Sequence, residues 1–276
     1  GLGAVEVGDL GVGVESDIYL SAVWVEALDR MARMADVMER KPAGRTNRRT
    51  AEPTALGTQA RRLHAQALTS LRERFWLPTE QMYAFALLEG GEVRSELTAW
   101  PATAMSFGLF EPERGMLAAQ AQARASLTTD WGARSLSSSS RLFDPLHYNN
   151  GTVWPFVTGF AALAQYRYLN PTSGFQLLQS IVRSGWDRGL GRNPEVYAGL
   201  MHEPLETAVA QQFFGTSFIP TVLVRGLLGN HLLGFQTGPG KHPAHALHQP
   251  PRLLRIDEAG GKEAVFEMPQ KFSTSS

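Results

Sequence analysis

Apolar residues recur at helical spacing along most of this chain and almost nowhere at the alternation of a strand, so the sequence must bury helix faces against other helices. Over 17–38, Leu20, Trp24, Ala27, Leu28, Met31, Ala35 and Met38 share one helical face, with Glu26, Asp29, Arg30 and Arg33 opposite. Ser16 is the expected N-cap of this helix. The basic stretch 40–49, broken by Pro42 and Gly44, reads as a loop. Leu56, Ala60, Leu63, Ala67, Leu71 and Phe75 mark a second helix, which Pro78 ends. Residues 82–88 read as a short strand closed by the turn Glu89-Gly90-Gly91. Further helices are expected over 99–107 and 112–125. Another carries Val153, Val157, Phe160, Ala164 and Tyr168, and the next Phe175, Leu178, Ile181 and Val182. The last is expected over 205–228, kinked near Pro220 and closed by Gly229.

Helices joined through long loops suit an all-α architecture of helical hairpins arranged as an α/α toroid, since a plain bundle uses shorter connections. A complete six-pair ring needs more helices than the roughly seven legible here. The expectation is therefore a partial toroid over 1–229, belonging to a longer domain whose N-terminal portion is missing. With a pocket wall unbuilt, turnover by this stretch alone is expected to be weak. From Asn230 onward Pro239, Pro243, Pro250 and Pro251 break the chain. The stretch 230–276 reads as an irregular, weakly packed tail. His231, His242, His245 and His248 lie in it, but their spacing matches no finger or helical metal site.

Composition narrows the function. The 276 residues carry 26 basic and 26 acidic side chains, a formal net charge of zero. No overall field would draw the chain to nucleic acid or an anionic membrane, which favours a neutral substrate. No apolar run is long enough to span a bilayer, and no signal-peptide pattern opens the chain. Cysteine is absent, which removes disulfides, thiolate metal sites and a cysteine nucleophile. That absence is compatible with a reducing cytoplasm, the expected compartment.

Chemistry concentrates in three inter-helix segments rich in aromatic faces, amides, carboxylates and arginine, the groups that stack on sugars and bond their hydroxyls. They are Asp130-Trp131-Gly132-Ala133-Arg134-Ser135-Leu136-Ser137, then Phe143 through Pro155 with His147-Tyr148-Asn149-Asn150-Gly151-Thr152-Val153-Trp154, then Asn193-Pro194-Glu195-Val196-Tyr197-Ala198-Gly199 followed by Glu206 and Gln211-Gln212-Phe213. Each has a plain structural alternative: a turn before a helix capped by Thr152, core tryptophans, an Arg134–Asp130 pair, or helix-terminal acids at Glu195 and Glu206. A toroid that gathers its loops on one face would instead bring all three together.

The run from Asp130 to Pro155 resembles bacterial amylo-α-1,6-glucosidases and related glycogen-debranching proteins, in which a Trp-Gly-x-Arg-(Ser/Thr)-Leu stretch precedes (Asp/Asn)-Pro-x-x-Tyr-x-Asn-Gly-x-Val-Trp-Pro. Pro194-Glu195-Val196 is similar to that family's Pro-Glu-Leu element, Gln211 to its Gln-aromatic element, and Asp17-Ile18-Tyr19-Leu20-Ser21-Ala22-Val23-Trp24 to its inner helix. The resemblance implies an (α/α)6 toroid that hydrolyses α-glucosidic bonds in a glycogen-like polysaccharide or oligosaccharide. It implies a carboxylic acid and a carboxylate as the machinery, with no metal or organic cofactor. In an inverting site the two stand ~6.5–9.5 Å apart so that water fits between them. Glu195 is the implied general base. The acid is sought among Glu6, Asp9, Glu15 and Asp17, with Asp17 and Glu15 foremost, unless it lies in the missing portion. Trp131, His147, Tyr148 and Trp154 would line a sugar subsite, with Asn150, Arg134 and Gln211 bonding hydroxyls and Glu206 in support. A carbohydrate-binding toroid without turnover is the alternative. An isoprenoid-processing toroid ranks last, because no Asp-rich diphosphate or protonation motif is present.

Overall fold

Asp17 starts the first helix: its Oδ1 accepts the Leu20 amide at 2.8 Å, satisfying one of the unpaired donors of the first turn. The expected cap, Ser16, instead pairs its hydroxyl with that of Ser21. This is a computed structural model, which describes residues 10–39, 55–187 and 189–229. The basic stretch 40–49 and the tail from Asn230 lie outside the described residues, as do Glu6 and Asp9.

Helix dominates. The elements are β1 (Val14–Asp17), α1 (Ile18–Glu39), α2 (Ala55–Arg74), β2 (Trp76–Leu77), β3 (Met82–Tyr83), β4 (Ala86–Leu88), β5 (Val93–Arg94), α3 (Ala102–Phe107), α4 (Pro112–Gln122), β6 (Thr128–Thr129), β7 (Gly132–Ala133), α5 (Pro155–Arg167), α6 (Pro171–Asp187) and α7 (Phe213–Val222). A π-helical turn, Leu223–Leu227, continues α7. The strands are short and antiparallel, in a β1-β4-β5 sheet and the hairpins β2-β3 and β6-β7. The expected strand over 82–88 is thus split between β3 and β4, with its glycine turn at positive φ.

The buried face of α1 differs from the expected one. Ile18, Ala22, Val25, Leu28, Ala32 and Ala35 are buried, whereas Trp24, Met31 and Met38 are 53%, 41% and 81% exposed. Alanines and β-branched residues let α1 approach α2 and α3 closely, and the bulkier side chains are left on the outer side. The expected last helix over 205–228 is also shorter. It begins at Phe213, and 205–212 is irregular.

α1, α3, α5 and α7 stand side by side in that order, with α2 behind α1 and α6 behind α5 and α7. The series is parallel. Tyr19 and Trp100, at the starts of α1 and α3, meet edge to face at 5.6 Å. Gly108 and Arg167, at the ends of α3 and α5, are in close contact. Pro155 abuts Gly215 at the starts of α5 and α7, and Phe218 covers Gly159 one turn further along. α2 and α6 run back the other way: Asp36 late in α1 pairs with Arg61 early in α2, and Tyr166 late in α5 packs on Gly174 early in α6. One continuous core fills the space between these hairpins, from Ile18 and Val25 through Met105 and Val157 to Phe218 and Val222.

Candidate active site at the loop face

With the series parallel, the segments preceding α3, α5 and α7 lie at one end, and backbone bridges lace them together. The Ala99 amide donates to Ser135 O at 3.2 Å, Ser135 N to Thr152 O at 2.8 Å, and Val153 and Tyr197 exchange bonds of 2.9 and 2.8 Å. Gln212 N, at the start of α7, donates to Asn193 O at 2.8 Å. The three chemistry-bearing segments of the sequence therefore converge.

Glycine makes the crossing possible. A Cβ on Gly199 would sit 2.2 Å from Gly151 O, and one on Gly151, at φ +146°, would meet the Phe143 ring at 2.5 Å. Ser135 locks this crossing from below, donating its hydroxyl to Asn149 O at 2.9 Å and accepting Gly151 N at 3.0 Å.

Upon this base Tyr148 is aimed. Its carbonyl accepts the Thr152 hydroxyl at 2.5 Å and the Trp154 indole N–H at 3.1 Å, and its ring meets Trp154 edge-on at 4.5 Å. Thr152 therefore holds Tyr148 rather than capping α5, whose N-cap is Trp154. The Tyr148 hydroxyl then donates to Glu195 Oε1 at 2.5 Å. Gln212 Nε2 donates to the same oxygen at 3.0 Å, and the Val209 amide to Oε2 at 3.2 Å. Glu195 is half-buried, on a loop rather than at a helix N-terminus.

The remaining expected residues divide. Trp131 is half-buried, its indole N–H donating to Ala198 O at 3.1 Å and its ring nearly parallel to that of His202 at 6.2 Å. Arg134 is buried and braces the loops: Nε donates to Gly199 O at 2.6 Å, and Nη1 to Ala125 O and Ser126 O at 2.9 and 3.2 Å. The same burial lowers its pKa from the usual arginine value. Its Nε and Nη1 are taken up by carbonyls, and no ion pair to Asp130 forms. Asn150 is buried too, with its Oδ1 unpartnered. His147 is exposed at the rim, its Nδ1 accepting Asn149 N at 3.3 Å. Gln211 and Glu206 are exposed, and no helix begins at Glu206. Gln212, adjacent to the expected glutamine, makes the contact with Glu195. Two adjacent glutamines in an irregular segment offer no periodicity by which to choose between them.

Asp17 and Glu15 lie on β1, ahead of α1, at the other flank of the series from α7. Asp17 is 2% exposed, with Oδ1 capping α1 and Oδ2 buried without a partner. Glu15 is exposed. Among the described residues no helix is long and apolar enough to cross a membrane, and no three His, Cys, Asp or Glu side chains gather as metal ligands.

The mannosylglycerate hydrolase MGH1-like glycoside hydrolase domain is the family whose model matches the chain, over residues 16–206. No curated protein matches it significantly. Among solved structures, the GH63 mannosylglycerate hydrolase from Thermus thermophilus in complex with glucose is 18% identical with a TM-score of 0.57, over 75% of this chain and 44% of that one. A sialidase is 11% identical with a TM-score of 0.63, over 79% and 20%. The neutral trehalase from Saccharomyces cerevisiae is 12% identical with a TM-score of 0.50, over 74% and 36%. The chain thus spans less than half the length of each of these structures and shares with them its helical fold. Its matched region runs from the second half of β1 through the segments ahead of α3 and α5 to Glu195 and Glu206, and the chain belongs to the MGH1-like glycoside hydrolase domain family.

Proposed function

We propose that this chain forms part of an (α/α)6 toroid that hydrolyses an α-glycosidic bond with inversion, Glu195 acting as general base. The observation that carries this reading is the Glu195 carboxylate. It is fixed by Tyr148, Gln212 and the Val209 amide at the face where the loops of a parallel helix series meet. A base must hold its water within hydrogen-bond reach, and a carboxylate locked by several donors keeps one orientation for that purpose. Tyr148, which reaches Glu195, packs against Trp154, and Trp131 is a further half-buried aromatic on the same laced loops, with His147 exposed. The motif resemblance favours an α-glucan or its oligosaccharides, whereas the family description favours a sugar joined to a small acid.

A panel holding both substrate types, offered to the complete toroid of which this chain is proposed to form part and followed by proton NMR of the first-formed anomer, tests the reading. The expected result is release of sugar with inverted configuration. Release with retention would remove the general-base role. The second reading, a carbohydrate-binding toroid without turnover, is favoured by the burial of Asp17, the carboxyl expected opposite Glu195. Binding of sugar with no release from any member would select it.

A further inference from the structure

The Glu195 contacts are unevenly shared between its two oxygens. A carboxylate offers about four acceptor directions, two on each oxygen. Oε1 accepts both Tyr148 and Gln212, whereas Oε2 accepts, among the described residues, only the Val209 amide. We propose, resting on the hydrolase reading, that Tyr148 and Gln212 are positioning residues that saturate Oε1 and leave Oε2 as the atom that takes the proton from water. In that step the water oxygen bonds to the anomeric carbon while its proton passes to Oε2. The glycosidic C–O bond breaks, its electron pair going to the leaving oxygen, which a carboxylic acid protonates.

The surroundings are built for this aim. Tyr148 cannot swing freely, because Thr152 and the Trp154 indole hold its carbonyl and the Trp154 edge holds its ring. Gln212 is fixed through its own amide on Asn193 O, two residues ahead of Glu195 in the chain. The loop thus ties the carboxylate and one of its clamps to the same strand of backbone. Asn193 itself is fully buried, so this anchor does not drift with solvent.

Tyr148→Phe keeps the ring on Trp154 and removes only the donor, and Gln212→Leu removes the other. Infrared spectra of protein labelled with carbon-13 glutamate, with Glu195 isolated by difference against Glu195→Gln, read the carboxylate directly. Both variants are expected to shift its stretching bands, and the remote, exposed Glu113→Gln to leave them in place. Turnover should fall ~10–100-fold in kcat for Tyr148→Phe, the loss of one hydrogen bond to a charged group, with KM within about threefold. Unshifted bands beside intact turnover would overturn the clamp alone. A fall confined to KM or to thermal stability would overturn the positioning role. Shifted bands in a wild-type protein that releases no sugar would overturn the catalytic role together with the hydrolase reading.

Discussion

The Asp17 carboxylate accepts the Leu20 amide and is closed off from solvent, whereas that of Glu195 gathers three donors from two other segments and stays half-open. The first arrangement is that of a helix cap, the second of a group held ready. Asn caps as well as Asp. Asp17→Asn is therefore expected to melt close to wild type and Asp17→Ala to lose about 1 kcal/mol, measured by denaturant titration. A large fall in turnover for Asp17→Asn at unchanged stability would instead make Asp17 the acid. The place of Glu195 among the converging loops was legible in sequence because Pro-Glu follows a specific run of motifs. Gln212 was not, because the segment ahead of α7 has no period to set its register. Arg134 was expected to bond sugar hydroxyls, yet it is buried on carbonyls of residues 125, 126 and 199, a convergence that no local pattern encodes.

Helix existence was readable along most of the chain, and helix phase in α2, where Ala60 and Leu71, with Phe75 just past its end, are buried as expected, but not in α1. Counting large apolar side chains on α1 selects Trp24 and Met31, while close packing selects Ala22, Val25 and Ala32 and keeps Leu28 and Ala35 of the expected face. α5 is buried nearly all round. It buries Val157, Thr158, Gly159, Ala161, Ala162, Ala164 and Gln165, most of its circumference, so no single stripe marks its inner face. The loops between helices rest on close backbone contact, and Gly199 is its tightest point. Gly199→Ala would drive a methyl group against Gly151 O, a backbone atom that cannot rotate away. The expected cost is about 1–3 kcal/mol of stability, as for other overpacked sites, with loss of the Tyr148–Glu195 geometry. Thermal melting and sugar binding check it, and a variant that melts and binds as wild type would show that the crossing yields.

Among the described residues, the parallel helices form a series whose two end helices carry exposed apolar side chains: Trp24, Met34 and Met38 on α1, and Phe213 and Phe214 on α7. Inside it, burial raises the phenols of Tyr166 and Tyr168 from 10 to about 12 and that of Tyr83 further still. Each keeps its proton longer when folded than when unfolded. Stability is thus fully present below pH ~10 and lost as pH rises through about 12, because the unfolded chain releases those protons first. An alkaline melt should show a steep drop between these values, accompanied by tyrosinate absorbance. A melting temperature flat across that window would contradict the burial of these phenols.

The central claim is that Glu195 is the base of a glycoside hydrolase. Its most direct test compares wild type with Glu195→Gln, which keeps the shape and loses the basic oxygen, in kcat and in sugar affinity. The account predicts that kcat falls ~10²–10⁴-fold while affinity for the sugar changes little. Turnover by Glu195→Gln within about threefold of wild type would contradict it.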